Sequence, residues 1–272
     1  MSDGTGSYPA PYEFLNSYKP ALEKENVFRR IGTVVKTTST EEKIQAVTST
    51  GTAEWVSEGT AIPESSDTLN QFNINSYKLA SLTRLRQTFV MDNQFDIEGY
   101  LKNQFARRFG RAEENACLNG DGNESPAGIL HPVEGAEIGL TTAEVTYDEV
   151  VKLYFSLDKA YRKNAVWLVN DETALHLRTL KDGNGNYLWN HTDNTILDRP
   201  VEYTPHMPNM ESGQVPMAFG DFSFLWMVER QPLSVKVLKE KYIPQGQIGY
   251  VAYERLDVKL IVKEAVKLMK MA

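Results

Sequence analysis

The chain has 272 residues, 41% of them apolar and 24% charged, which is the balance of a folded globular protein and excludes a disordered or collagen-like one. With 29 basic against 36 acidic residues the net charge is −7, which argues against a surface built to neutralise phosphates over a wide area. The single cysteine, Cys117, allows no intrachain disulfide, Met1 to Gly4 lack the character of a secretory signal, and no stretch approaches the ~18 apolar residues that cross a bilayer, so a cytosolic protein without a membrane span is expected.

Gly4, Gly6, Pro9 and Pro11 punctuate the first thirty residues, which therefore read as a poorly anchored arm. From Pro20, a good first helical residue, Ala21, Leu22, Lys24, Val27 and Phe28 fit one short helix. Lys36 to Ser81 is rich in Thr, Ser and Val and alternates locally, as at Phe72, Ile74 and Ser76, which predicts extended chain. Its middle, Thr48 to Thr68, is too polar for a core. A long two-stranded excursion projecting from the body is expected.

The clearest helix begins near Asp92 or Asp96, either of which can cap a first turn, and runs toward Leu118. Phe95, Ile97, Leu101, Phe105, Phe109, Ala112 and Ala116 fall on one face, while Lys102, Arg107, Arg108, Arg111, Glu113 and Glu114 populate the rest. Gly120-Asp121-Gly122 is expected to end it in a left-handed turn. An α/β region follows. Thr146 and Glu149 form a capping box before a helix through Val150, Leu153 and Leu157. Ala165 to Val169 reads as a buried strand, and Asn170 as the cap of a second helix that Lys181 to Gly185 closes with a turn. Strands are expected near Phe222 to Val228, Leu233 to Leu238, Gly249 to Arg255 and Val258 to Val262.

Catalytic chemistry finds little support. His131, His176, His191 and His206 are scattered, without zinc-ligand spacing or a partner nucleophile, and Cys117 is better placed as a small apolar residue closing a helix. Asn119, Asp121 and Asn123, and again Asp182, Asn184 and Asn186, alternate as the start of a calcium loop does. Both runs lack glycine at the sixth position and glutamate at the twelfth, so they read as turns. No phosphate-cradling glycine motif occurs. No cofactor and no metal is expected. What remains is an arm and a long hairpin with Trp55 and Val56 at its centre, parts that gain little from a single globule.

The ordered set Ala53-Glu54-Trp55-Val56-Ser57-Glu58-Gly59, Ile62-Pro63-Glu64-Ser65, Lys78-Leu79-Ala80, Gly120-Asp121-Gly122 and Ser125-Pro126-Ala127-Gly128-Ile129-Leu130 resembles the major capsid proteins of tailed bacteriophages with the Hong Kong 97 fold. Leu180-Lys181-Asp182, Tyr187-Leu188-Trp189, Thr195 to Val201, Met207-Pro208 and Phe219-Gly220-Asp221-Phe222 continue the likeness, which covers roughly residues 30 to 272. The resemblance implies an α+β fold with an N-terminal arm (1–33), an extended β-hairpin loop (34–80), a peripheral domain with a spine helix (81–124), an axial domain (125–240) and return strands of the peripheral domain (241–272).

It further implies a non-enzymatic shell subunit, assembled in a host cytoplasm into homo-pentamers and hexamers of a virion capsid. Double-stranded DNA would be enclosed without tight or sequence-specific binding, and a portal and a separate scaffold protein are the other expected partners. Trp55, Val56, Glu58 and Lys43 on the hairpin, and Asn190, His191, Asp193 and Asn194 on a turn crowding the five- and six-fold axes, are the candidate contacts between subunits. Some members lock the shell with a lysine to asparagine isopeptide bond. Lys43 could supply the lysine, but no asparagine follows Asn209, and no such bond is expected. An encapsulin-like compartment and a gene-transfer-agent capsid are the related alternatives, and a hydrolase or a monomeric binding module the unrelated ones.

Overall fold

The computed structural model describes residues 20–37, 43–49, 51, 53–61, 64–90, 96–181, 184–187, 189 and 194–272. Two sheets make the body. In the first, β1 (Thr33–Lys36), β10 (Leu225–Leu238), β11 (Gln247–Leu260) and β4 (Tyr77–Arg86) lie in the order β1-β10-β11-β4. In the second the order is β5-β12-β9-β6-β8-β7, formed by β5 (Glu137–Thr142), β12 (Val266–Met271), β9 (Met217–Gly220), β6 (Val166–Val169), β8 (Arg199–Tyr203) and β7 (Thr195–Ile196). A separate hairpin of β2 (Lys43–Ser49) and β3 (Thr68–Asn73) stands apart from both. The α+β class is as expected.

The long helix α4 spans Ile97–Asn119, and at ~1.5 Å per residue its 23 residues form a rod of roughly 35 Å. Asp96 starts it, its carboxylate accepting from the Gly99 amide at 2.9 Å. Phe95 and Asp92 lie outside the described residues. Leu101, Phe105, Ala106 and Phe109 pack against Leu233, Tyr250 and Ala252 of the first sheet. The strict alternation of exposure along β4 presents Leu79 and Leu85 to the same core and leaves its other face to solvent.

The end of α4 differs from the expected left-handed turn. Gly120 is extended (φ −59°, ψ 141°), and the residue in the left-handed region is Gly122 at φ 73°. Gly120 and Gly128 serve close approach instead. The chain turns back along the helix end so that Ile129 N donates to Cys117 O at 2.8 Å and Leu130 N to Leu118 O at 3.0 Å. Added Cβ atoms would stand 1.7 Å from Pro126 O and 2.3 Å from Leu118 O. Carbonyls that a helix end normally leaves to water are thereby paired inside the body.

In the second sheet Trp167 stacks on Phe219, ring centroids 4.0 Å apart, and the helices α5 (Tyr147–Ser156) and α7 (Asp171–Thr179) cover them through Val150, Leu153, Ala174 and Leu177. Both expected caps form: Thr146 Oγ1 accepts from Glu149 N at 3.4 Å, and Asn170 Oδ1 from Thr173 N at 2.7 Å. The Glu149 carboxylate takes Lys152 at 2.6 Å and so does not serve as the second half of a capping box.

Several expected boundaries move. Residues 20–33, assigned to an arm, pack in the body: Leu22, Val27 and Phe28 are buried, and β1 pairs in parallel with β10. β1 and the start of β4 belong to the first sheet, which shortens the 34–80 excursion. β10, placed in the axial domain, is a central strand of that same sheet. The closing strand β12 does not return there but joins β5 and β9 in the second. Phe222–Phe224 is a short 3-10 turn rather than the start of a strand.

Candidate assembly surface

The hairpin is an antiparallel ladder with Lys43 opposite Asn73, Ile44 opposite Phe72 and Val47 opposite Leu69, broken by a bulge between Val47 and Ser49. Only its root is anchored. Ile44, Ala46 and Ile74 are buried with Val228, Ile261, Val262 and Ala265. Beyond the root, among the described residues, it is largely uncovered: Leu69 is 64% exposed, Val47 45%, Val56 39% and Trp55 fully exposed at 105%. Glu58 is exposed as well. Lys43, itself exposed, stands at the root end of β2, its amine 3.5 Å from Gln71 Oε1. Burying a large aromatic removes 150–250 Å² from water, and Trp55 leaves that surface in solvent.

Of the second group of candidate contacts the structure describes only Asn194. Asn190, His191 and Asp193 lie outside the described residues. Asn194 is described, and it is a brace. Its amide donates to Val201 O at 2.8 Å, and its Oδ1 accepts from Tyr203 Oη at 2.5 Å and Arg178 at 3.0 Å. Arg178 lies over the Trp189 ring, 4.6 Å from its centroid. Asn194 thus ties β8 to α7.

One constellation escaped the sequence reading. Glu113 and Glu114, assigned to the solvent face of α4, are buried, as is Glu254 on β11. Arg29, from the segment before β1, grips Glu113 with two nitrogens at 2.6 and 2.7 Å and Glu229 of β10 at 2.8 Å. Asn26 adds a bond to Glu113 at 2.9 Å. Burial alone would lower the Arg29 pKa, but Glu113 and Glu229 outweigh it and hold the guanidinium charged. Burial and then the neighbouring Glu113 push Glu254 well above the usual carboxylate range. The cluster ties four segments of the first sheet and its helix into one unit. Its signal was present in the sequence, because Phe105, Phe109, Glu113 and Cys117 follow at steps of four, a cleaner stripe than the one drawn through Ala112 and Ala116.

The remaining polar features are structural. Cys117 is wholly buried and its thiol pushed far up, first by that burial. Asp121 accepts from the amides of Asn123, Glu124 and Ser125 at 3.0 to 3.1 Å. These bonds, Ser125 first, lower its pKa to about 2. That is turn chemistry, as expected of this run. Among the described residues no three His, Cys, Asp or Glu side chains gather as a metal site, and no helix is long and apolar enough to cross a membrane. A shallow cleft of about 350 Å³ beside α5 is lined by Phe155, Asp158, Lys159, Arg162, Glu264 and Lys267. Three of its charges are engaged, with Arg162 donating to Leu157 O and Phe155 O, Tyr161 to Glu264 and Lys267 to Glu137.

A family model described as the phage capsid family matches residues 6–271. The capsid of an empty GTA particle, computed with C5 symmetry, is 28% identical and superposes with a TM-score of 0.77 over 90% of this chain and 89% of that one. A structure from Microbacterium phage Oxtober96 gives 16% identity and a TM-score of 0.67 over 91% of both chains. One from Mycobacterium phage Bobi gives 13% and 0.64 over 100% of this chain and 94% of that one. No curated protein matches.

Proposed function

The chain belongs to the phage capsid family and is a major capsid protein of the tailed-bacteriophage kind, and from that premise we propose that its copies close into pentamers and hexamers of an icosahedral shell around double-stranded DNA. The observation that carries the mechanism is the fully exposed Trp55 at the tip of a hairpin anchored only at its root. Each copy holds out surface that its own body leaves uncovered. Trp55 and Val56 seat in a neighbour as apolar anchors, with Glu58 at the polar rim, and Lys43 adds a separate contact at the root of the hairpin. The turn that Asn194 braces carries Asn190, His191 and Asp193 toward the symmetry axes. Several contacts per copy, each near the roughly 1,600 Å² of a standard interface, multiply modest affinities into a closed lattice.

The shell acts by enclosure and not by reaction. Copies assemble in the host cytoplasm with a portal and a separate scaffold, and the net charge of −7 leaves packaged DNA loosely held. Negative-stain microscopy of the purified chain tests this: closed shells are expected. A monomer at every concentration and salt would overturn it, and shells filled with protein would make it an encapsulin-like compartment. The 28% identity to the GTA capsid favours that type of shell as the second reading, and sequencing the enclosed DNA separates viral from host genes.

A further inference from the structure

The solvent side of α4 carries a row of cations and amides without a counter-charge. Asn103, Arg107, Arg111, Asn115 and Asn119 are all exposed and follow at steps of four, which sets them along one side of the rod about 5–6 Å apart. Arg108, also exposed, stands beside them and reaches Thr83 Oγ1 of β4 at 2.8 Å. Among the described residues none of these arginines is in an ion pair, and neither is Glu25, which packs on Gly110 beside the row. The acids of the helix stand elsewhere: Glu113 and Glu114 are buried, and Glu98 lies in the first turn. Its only exposed large apolar side chain is Tyr100, at that same end.

A protein interface is built on an apolar, aromatic core, and this row offers none. Arginine and asparagine are, however, among the side chains that contact DNA phosphate without reading sequence, and the guanidinium fork fits a phosphate better than any other cation. The opposite side of the same sheet is basic too, through Lys78, Arg84, Lys236 and Arg255, but there tyrosines interrupt the cations. The Tyr253 ring lies 5.6 Å from Lys78 Nζ and 5.5 Å from Lys236 Nζ, the Tyr242 ring 5.6 Å from the Arg84 guanidinium, and Leu82 is 46% exposed among them. We infer that the solvent side of α4 forms part of the inner wall of the shell and holds the phosphate backbone of the enclosed double-stranded DNA. Arg107 and Arg111 take phosphate oxygens, Arg108 adds its charge, and Asn103 and Asn115 donate beside them. Three arginines in a chain of net charge −7 make a weak, salt-sensitive contact, which repetition over the shell multiplies. This rests on the proposed shell around DNA and names the side of the subunit that faces the cargo.

Arginine footprinting of particles made by the full chain tests it, with hydroxyphenylglyoxal as the probe and peptide masses as the readout. Arg107 and Arg111 are expected to react in empty particles and to lose that reactivity in filled ones, while Arg84 reacts alike in both. Arg107→Ala with Arg111→Ala, both at exposed positions, should assemble at wild-type yield and release its DNA at lower salt, since losing a phosphate contact weakens binding uniformly across sequences. Equal reactivity in filled and empty particles overturns the inference. If both arginines stay open, DNA does not reach the face, and if both stay blocked, a second copy or a scaffold protein covers it. A double variant that no longer forms shells overturns it as well, because the face then serves contacts between proteins. If the wild-type chain forms no shells at all, the shell reading fails first and takes this inference with it.

Discussion

The hairpin tip and the Arg29 cluster invert the usual rule in opposite directions. At the tip a tryptophan stands wholly in solvent, whereas inside the first sheet Arg29 and the carboxylates of Glu113, Glu229 and Glu254 are held largely away from it. Both are costly for a chain considered alone. The cluster recovers its cost within the molecule, through at least four charge-assisted bonds between segments far apart in sequence. The tip recovers nothing until something covers it. A chain of this design keeps its internal and external stabilisation in separate places, so each can be removed without the other.

Arg29→Met is the strongest way to probe that separation. Removing the one cation leaves buried carboxylates unpaired, and about 3–5 kcal/mol of subunit stability should be lost, read by urea denaturation of the unassembled chain. Trp55→Ala should do the reverse. Subunit stability should stay within about 0.5 kcal/mol of wild type, while particle formation drops as expected for truncating an anchor worth about 2 kcal/mol or more. If Trp55→Ala weakens the lone subunit, or Arg29→Met leaves it untouched, the two regions are not independent.

A smaller effect concerns pH. Glu254 holds its proton in the folded chain, beside Glu113, Arg29 and Glu229, far more tightly than an unfolded glutamate does. The folded state therefore binds the extra proton, so this contribution is complete below the ordinary glutamate range and is lost as pH rises through the raised value. The steepest loss is about 1.4 kcal/mol per pH unit for one proton. Glu254→Gln, which mimics the protonated form, should flatten the alkaline side of a stability profile measured by urea titration at successive pH values.

Local chemistry made much of this legible beforehand. Asp96, Thr146 and Asn170 cap helices where a side-chain oxygen stands ahead of an apolar period, and those positions need only their neighbours to be understood. The excursion around Trp55 was readable because nothing in its composition could form a core. The missed parts depend on distant partners. Val266–Met271 pairs with β5 and β9 rather than with its chain neighbour β11, a choice made by sheet order. Residues 20–33 looked loose because their anchor, Arg29, finds its partners 84 and 200 residues away. Lys78, Arg84, Lys236 and Arg255 form one face only after three strands are laid side by side.

The seclusion of Cys117 has a practical corollary. It is the chain's sole cysteine, it is buried at the end of α4, and burial pushes its thiol well above the usual range, which disfavours the reactive thiolate. A cysteine introduced at Ser57, one of the exposed residues of the tip, would then be the single group open to a maleimide dye. The fall in its labelling rate as copies associate would time the closing of each joint.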